Sequence, residues 1–383
     1  MNDKIRQASQ QLIAEADIPV NYYFDDEVFA KEQEFIFKNS AIYIANESYV
    51  PENGDWFALA QDNAGRILLR NGDRLELLSN VCRHRQAIML GGQAGNVTDP
   101  TNNRGNLKAT GGNIVCPLHR WTYDKSGQLL GAPHFNEQPS CKNLSRFEFK
   151  NVNGMLYEGP RDPGADMAAL LSLEEFDFSD YQFDHMEVHE CNYNWKTFIE
   201  VYLEDYHVEP FHPGLGQFVT CSDLRWDYGE FFSSQRVGVH QALANPGSAA
   251  YQRWHDELLA FRGGTAPDFG AIWVTYFPTQ MIELYPHVLV LSTLYPVSPQ
   301  KTLNLVEFYY PEEIRAFERD FIEAQKAAYM ETAIEDDEIA ERMDAGRLAL
   351  MERGVQESGP YQSPMEDGML HFHQWYKGMM QIK

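Results

Sequence analysis

Cysteine is scarce in this chain: five in 383 residues, at Cys82, Cys116, Cys141, Cys191 and Cys221. An odd number spread this thinly, without an export signal in the opening residues, reads as reduced thiols or metal ligands rather than a disulfide framework. Positive charge is also short. The 31 Lys and Arg against 56 Asp and Glu give a formal net charge of −25, which argues against nucleic acid and anionic membranes as partners. That surplus would suit a cationic ligand, although a solvated acidic surface is the weightier explanation. Long apolar runs are missing: VLVLSTLYPV falls well short of the roughly 18 residues of a membrane span, and its β-branched content reads as a strand. The opening MNDKIRQASQQLIAEAD is polar and lacks the apolar centre of a signal peptide, so a cytoplasmic protein is expected. No nucleotide-binding fingerprint, internal repeat or long low-complexity linker is found.

What is present is an ordinary globular composition, 44% hydrophobic and 13% aromatic, on a chain long enough for two domains. Residues 1–40 read as a helical segment that packs on the second domain, FDDEVFAKEQEFIFKNS carrying apolar positions at helical spacing. From 41 to 160 the texture turns to short strands. ILLRNGDRLELLSN is a hairpin around Asn71-Gly72-Asp73, and WTYDKSGQLLG is another around Lys125-Ser126-Gly127. Between them GGQAGNVTDPTNNRGNLKATGGN reads as loop. RDPGAD, at 161–166, marks a boundary, with a second domain over 161–383. There EVHECNYNWKTFIEVYLEDYHVE predicts a helix. FFSSQRVGVHQ, GAIWVTYFP, HVLVLSTLYPV and TLNLVEFYY predict strands, and a long acidic helix is expected from about Pro311 to Glu352. Strands followed by helices predict an α+β architecture, an antiparallel sheet covered by a long helix.

Two short motifs carry metal chemistry. SNVCRHRQA places Cys82 beside His84, and NIVCPLHRWTYD places Cys116 beside His119. Zinc fingers pair like with like, whereas each motif here mixes sulfur with nitrogen. A Rieske [2Fe–2S] cluster needs two thiolates on one iron and two imidazoles on the other, so each loop would give one ligand to each iron. C-R-H followed by C-P-L-H-R-W-T-Y-D resembles the Rieske domain of the aromatic-ring-hydroxylating oxygenase α-subunits and their relatives. The 31 residues between His84 and Cys116 exceed the usual family spacing, and the Gly/Asn-rich stretch accounts for the excess as a surface insertion.

A second constellation lies in NWKTFIEVYLEDYHVEPFHP. On a straight helix Trp195, Phe198, Ile199, Tyr202 and Tyr206 share a core-facing arc, and Glu200, Glu204 and His207 share the opposite one. Pro210 and Pro213 let the chain bend and return His212 towards His207. Two imidazoles, a carboxylate and open positions suit divalent iron, while two structural histidines near a helix end are the bland alternative. N-W-K-x-x-x-E-x-Y-x-E-x-Y-H-x-x-x-x-H resembles the catalytic-helix motif of the same oxygenase family. The resemblance implies that His207 and His212 bind a mononuclear iron. It implies too that Glu204 bridges them to His119 of a neighbouring subunit, where many members have Asp, and that the assembly is a homotrimer. In AIEDDEIAERMDAGR the family's E-D-x-x-x-x-E pattern, Glu335-Asp336 with Glu341, points to Asp336 as the third ligand, with Asp337 its rival.

The same resemblance implies an all-β cluster domain and a helix-grip catalytic domain. It also implies a terminal oxygenase fed by a separate NAD(P)H-dependent flavin/iron–sulfur reductase or ferredoxin, using O₂ to hydroxylate or demethylate a small substrate. Y-L-E-D-Y-H-x-x-x-x-H-P-G is similar to the trimeric oxygenases of quaternary ammonium compounds. Glu200 with Phe198, Tyr202 and Trp273 could cage such a cation; Trp226 and Tyr276 are further aromatic candidates, core packing being the commoner role for all five rings. An aromatic ring-hydroxylating or O-demethylating oxygenase is the alternative in class. A Rieske electron carrier with an inactive second site is the alternative outside it. His240, His255 and His287 are isolated, and His371 and His373 fall in an alternating apolar segment that reads as packing.

Overall fold

The computed structural model describes residues 17–91, 103–136 and 142–382. Residues 1–16 of the N-terminal segment, residues 92–102 of the Gly/Asn-rich stretch and Cys141 lie outside the described residues. Backbone contacts divide the chain into two compact units. One comprises residues 41–163 with 186–188; the other comprises the described residues up to 40, then 164–185 and 189 onward.

The first unit is built of short antiparallel strands: β1 (Ile42–Asn46), β2 (Asp55–Ala58), β3 (Arg66–Asn71), β4 (Arg74–Ser79), β5 (Arg104–Asn106), β6 (Ile114–Val115), β7 (Thr122–Tyr123), β8 (Leu129–Gly131), β9 (Arg146–Phe147), β10 (Lys150–Val152) and β11 (Met155–Glu158). They form sheets in the orders β5-β2-β3-β4-β9, β6-β7-β8 and β1-β11-β10. The β3–β4 hairpin turns at Gly72, whose φ of 61° is open to glycine at no steric cost. Ile67, Leu69, Leu78, Ile114, Trp121 and Tyr123 close its core around Cys82 and Cys116.

The second unit centres on a seven-stranded antiparallel sheet, β12 (Tyr181–Cys191), β13 (Val219–Tyr228), β14 (Phe232–Val239), β15 (Ala271–Tyr276), β16 (Gln280–Tyr285), β17 (Val288–Ser298) and β18 (Lys301–Pro311), in the order β12-β18-β17-β16-β15-β14-β13. Helices α1 (Asp26–Phe35), α2 (Trp195–Tyr202), α3 (Ala249–Phe261), α4 (Arg319–Glu352) and α5 (Asp367–Met380) pack in the same unit. β15 and β16 are buried on both faces, which is why they read as near-continuous apolar runs instead of alternating ones. Among the described residues no helix is long and apolar enough to cross a membrane.

Three expectations from the sequence need correction. The helix expected from Glu187 instead opens as strand β12. Helix α2 starts only at Trp195, because the Asn194 side chain caps it by accepting from the Lys196 N–H at 2.9 Å, and it ends at Tyr202. The long acidic helix begins at Arg319: Glu318 adopts φ −113° and ψ 60°, which separates it from a short helix at Glu312–Phe317. The segment holding His371 and His373 is helical, not alternating, and forms α5.

A buried polar knot fixes α2 from behind. Lys196 Nζ donates to Glu32 Oε1 at 2.6 Å, and the same carboxylate takes the Trp195 indole N–H at 2.9 Å and the Tyr376 hydroxyl at 2.5 Å. Neither Lys196 nor Glu32 reaches solvent. Beside them Glu200 is bound by Arg347, Tyr23 and, at 2.9 Å, His373. Asp344 of α4 accepts from the Asn194 backbone N–H at 2.8 Å and the Thr197 hydroxyl at 2.6 Å, tying the start of α2 to the long helix. Every charge removed from water here has its partner inside the protein.

Candidate metal centres and substrate cavity

In the first unit, two loops of nearly identical hydrogen bonding present the mixed Cys/His pairs. After β4 the Cys82 N–H donates to Ala87 O at 2.9 Å and its carbonyl accepts from the Gln86 N–H at 3.1 Å. After β6 the Cys116 N–H donates to Trp121 O at 2.9 Å and its carbonyl accepts from the Arg120 N–H at 3.1 Å. Gln86 and Arg120 both take left-handed conformations, φ 56° and 59°, and so close the two loops alike. The thiols point inward and are buried, whereas His119 is exposed and His84 half-buried. The imidazole rings stand 4.7 Å apart, and His84 stacks on Trp121 at 5.0 Å.

This donor set fits a two-iron cluster. Two thiols sit on the inner side and two imidazoles on the outer side, as ligation of one iron by sulfur and its neighbour by nitrogen requires. His84 Nδ1 is buried without a hydrogen-bond partner, the mark of a site with an unmet coordination demand. The Tyr123 hydroxyl lies 3.7 Å from Cys82 Sγ and accepts from the Arg83 N–H at 3.2 Å.

In the second unit the chain after α2 leaves helical geometry. Leu203 is non-helical, Glu204 is extended with φ −120° and ψ 97°, and single turns at Asp205–His207 and Val208–Phe211 follow. Pro210 is tolerated within so short a first turn. The bend brings His207 Nε2 to 3.0 Å from His212 Nε2 and 3.4 Å from Asp336 Oδ1, with His212 Nε2 3.0 Å from the same oxygen. Among the described residues, only this group of three or more His, Cys, Asp or Glu gathers its ligand atoms within 4.8 Å. Asp337 turns away and accepts the Tyr193 hydroxyl at 2.5 Å.

Both imidazoles are held from behind. His207 Nδ1 lies 2.6 Å from Glu204 Oε2, and His212 Nδ1 lies 2.7 Å from Glu335 Oε2. Such carboxylates fix the tautomer and aim the other nitrogen at the centre. Burial alone would lower the pKa of His207, but bonds to Asp336 and Glu204 outweigh it and push it up to about 10. Burial would raise Asp336, yet the two histidines bring it below the usual carboxylate range. The surroundings therefore favour positive charge at this point, which is what a divalent ion needs, and two His with one Asp suit iron with open positions.

The triad opens into a cavity in the same unit. Phe198, Tyr202, Phe218, Trp254, Trp273 and Val306 contribute its apolar walls. Five carboxylates line it, Glu204, Asp205, Glu283, Asp336 and Asp337, and no Lys or Arg does so among the described residues. Asp205 is buried with Oδ2 unpartnered. Glu283, on the inner strand β16, accepts the Tyr285 hydroxyl at 2.8 Å and the Tyr329 hydroxyl at 3.0 Å; the Trp273 indole N–H reaches Tyr285 Oη at 3.1 Å. Burial pushes Glu283 up to about 7, against the lowering effect of the two hydroxyls.

The sequence placed Glu200 in this cavity and Tyr206 in the core, and the structure does neither. With α2 ended at Tyr202, Glu200 faces the knot, while Tyr206 is 59% exposed. Phe198, Tyr202 and Trp273 do line the cavity. Trp226 instead donates to Pro364 O and Tyr276 to Asp166. Glu283, Tyr285, Tyr329 and the role of Glu335 were missed. For Glu283 a sequence cue existed: it is the lone acid in the apolar run QMIELYPHVLVL.

A sulfur–imidazole site on a β-built unit, together with a two-histidine, one-aspartate group lining a cavity, defines the class of iron enzymes that deliver single electrons to an oxygen-activating centre. Residues 40–145 match the Rieske [2Fe-2S] domain, and residues 178–382 match the catalytic domain of the ring hydroxylating alpha subunit. Putrescine 2-hydroxylase of Bordetella bronchiseptica is 70% identical over 367 residues, 96% of this chain and 85% of that protein. Putrescine 2-hydroxylase of Ralstonia nicotianae is 60% identical over 96% of both. The crystal structure of the quaternary ammonium Rieske monooxygenase CntA with an inhibitor shares the fold, with TM-score 0.72, 20% identity and 95% of each chain covered. The chain belongs to the Rieske-type ring-hydroxylating oxygenase family: it is an oxygen-incorporating oxidoreductase with a [2Fe–2S] cluster and a mononuclear iron, and it hydroxylates a small substrate.

Proposed function

We propose that this enzyme hydroxylates a carbon of a short aliphatic diamine of the putrescine type. The observation that carries the reading is the cavity: aromatic walls, five carboxylates and, among the described residues, no Lys or Arg around the histidine–aspartate group. A flexible dication needs negative charge in place to offset its loss of hydration, and two relatives at 70% and 60% identity carry putrescine in their names.

Within this reading residues 41–160 form the cluster domain and 161–383 the catalytic domain. Cys82 and Cys116 hold one iron of the cluster, and His84 and His119 the other. His207, His212 and Asp336 hold the mononuclear iron, which supplies reductive activation of O₂ when bound. Glu335 keeps His212 Nδ1 protonated and its Nε2 free to ligate. Glu204 does the same for His207 and lends its other oxygen to His119 of a neighbouring subunit in a homotrimer, joining the two centres by hydrogen bonds. Phe198, Phe218 and Trp254 exclude water from the reacting carbon. Electrons come from a separate flavin/iron–sulfur reductase or ferredoxin in the cytoplasm, since the chain has no nucleotide-binding fingerprint.

The test is substrate-dependent O₂ uptake by the holoenzyme with a reductase, with products read by mass spectrometry under ¹⁸O₂. Hydroxylated putrescine carrying one labelled oxygen is the expected product. Turnover of carnitine or glycine betaine, with none of putrescine, would overturn the reading in favour of a quaternary ammonium substrate.

A further inference from the structure

We propose that Glu283, oriented by Tyr285 and Tyr329, binds the substrate ammonium remote from the carbon that is oxidised, and so makes the enzyme selective for a chain that ends in a protonated amine. The inference rests on the diamine reading and names the residue that enforces it.

Glu283 is 2% exposed and sits on β16, with Trp273 of β15 and Val290 of β17 directly opposite it. An acid at the middle of a sheet is costly unless its oxygens are satisfied. Each oxygen here accepts one neutral hydroxyl, from Tyr285 or Tyr329. A carboxylate has about four acceptor positions, so room for further donors remains. The side chain lines the cavity, where the protein supplies no Lys or Arg among the described residues. A purely structural role would place the acid out of reach of the cavity or give it a cation of its own, as Glu200 has in Arg347.

The chemistry of the partner follows from what is missing. The unfilled acceptor positions call for N–H donors, and the unbalanced charge calls for a cation. A primary ammonium provides both, a quaternary ammonium only the second, and a methyl end neither. Glu283 makes no bond to His207, His212 or Asp336, whose partners are Glu204, Glu335 and each other. It is therefore not engaged by the triad, although Asp336 lies near enough to act on its charge, and it is left to take one end of a chain whose other part is presented to the triad within the same cavity.

The experiment compares putrescine with 1-butylamine, which lacks the second ammonium, in the complete reductase-coupled enzyme. A lost charge-assisted hydrogen bond corresponds to a factor of about 10 to 100, so wild type should prefer putrescine by about that factor in kcat/KM. In Glu283→Gln the preference should fall to within about threefold, through a raised KM for putrescine with kcat little changed. Glu283→Asp should restore part of it. An undiminished preference in Glu283→Gln overturns the inference while leaving the diamine reading intact; absence of putrescine turnover by wild type overturns both. Should Glu283→Gln fail to fold, Tyr329→Phe serves, with a smaller loss of the same preference expected and an unchanged preference overturning the inference.

Discussion

Helix α2 divides two regions that treat a buried acid in opposite ways. Behind it, Glu200 has Arg347, His373 and Tyr23 around it, and although burial acts to raise its pKa, the guanidinium and imidazole hold it at about 2. In front, where α2 turns Phe198, Val201 and Tyr202 to the cavity, Glu283 has hydroxyl partners alone among the described residues and burial pushes it up to about 7. Where only the fold is at stake, the protein neutralises its own charges. Where a ligand must enter, it leaves the negative charge unbalanced.

The largest expected effect separates the regions outright. Asp336→Ala removes a carboxylate from the triad and should lower iron content by about one per chain, abolishing hydroxylation while the reduced cluster keeps its EPR spectrum and melting is little changed. Asp337→Ala should keep the iron. Loss of the cluster as well in Asp336→Ala would mean that cavity and fold are not separable. On the knot side, Lys196→Met strands the Glu32 carboxylate and should cost about 3–5 kcal/mol in denaturant unfolding. Pairing it with Glu32→Gln should recover much of that loss; no recovery would show that packing, not charge, holds α2.

Next in size is Glu335→Gln, which loosens the hold on His212 and should weaken mononuclear iron about 10- to 100-fold, measured by chelator competition, with the cluster unaffected. The smallest effect is on pH. Glu283 is faced by Tyr285 and Tyr329, which bond to it, and by Asp336 and Tyr202 across the cavity. A cation binds its ionised form, so putrescine affinity should rise as pH climbs through about 7, with Asp205, which burial pushes up to about 8, extending the rise, and the part centred near 7 should vanish in Glu283→Gln. Glu200 works the other way. Its stabilisation is fully present above its ordinary value of 4.5 and is lost only as pH falls towards about 2, so the Glu200 carboxylate should not respond across the same neutral range.

The two candidate metal sites were not equally legible in the sequence. Cys82 with His84, and Cys116 with His119, lie within four residues of each other, so loop chemistry alone exposes them. The triad joins His207 and His212 to Asp336 over more than a hundred residues; its aspartate stood out by family pattern among many acids on α4, not by spacing. The straight-helix reading of 195–207 failed because backbone geometry at Leu203 and Glu204 is decided by tertiary contacts, and with it went the placement of Glu200. Glu283 stood out as a lone acid in an apolar run, but what it serves shows only once the sheet tells which face meets the cavity. The order of the seven strands was likewise beyond reach, since β13 and β16 carry no distinctive turn or periodicity of their own.

Helix α4 runs 34 residues, about 51 Å at 1.5 Å per residue. Glu335 and Asp336 serve the histidine pair from one stretch of it, while Asp344 and Arg347 serve the knot from the next. One added or deleted residue between Asp336 and Asp344 would turn one set by about 100° relative to the other. This stretch is therefore a reading frame in three dimensions: substitutions can accumulate on its outer face, but a change of length forces a choice between the iron and the fold.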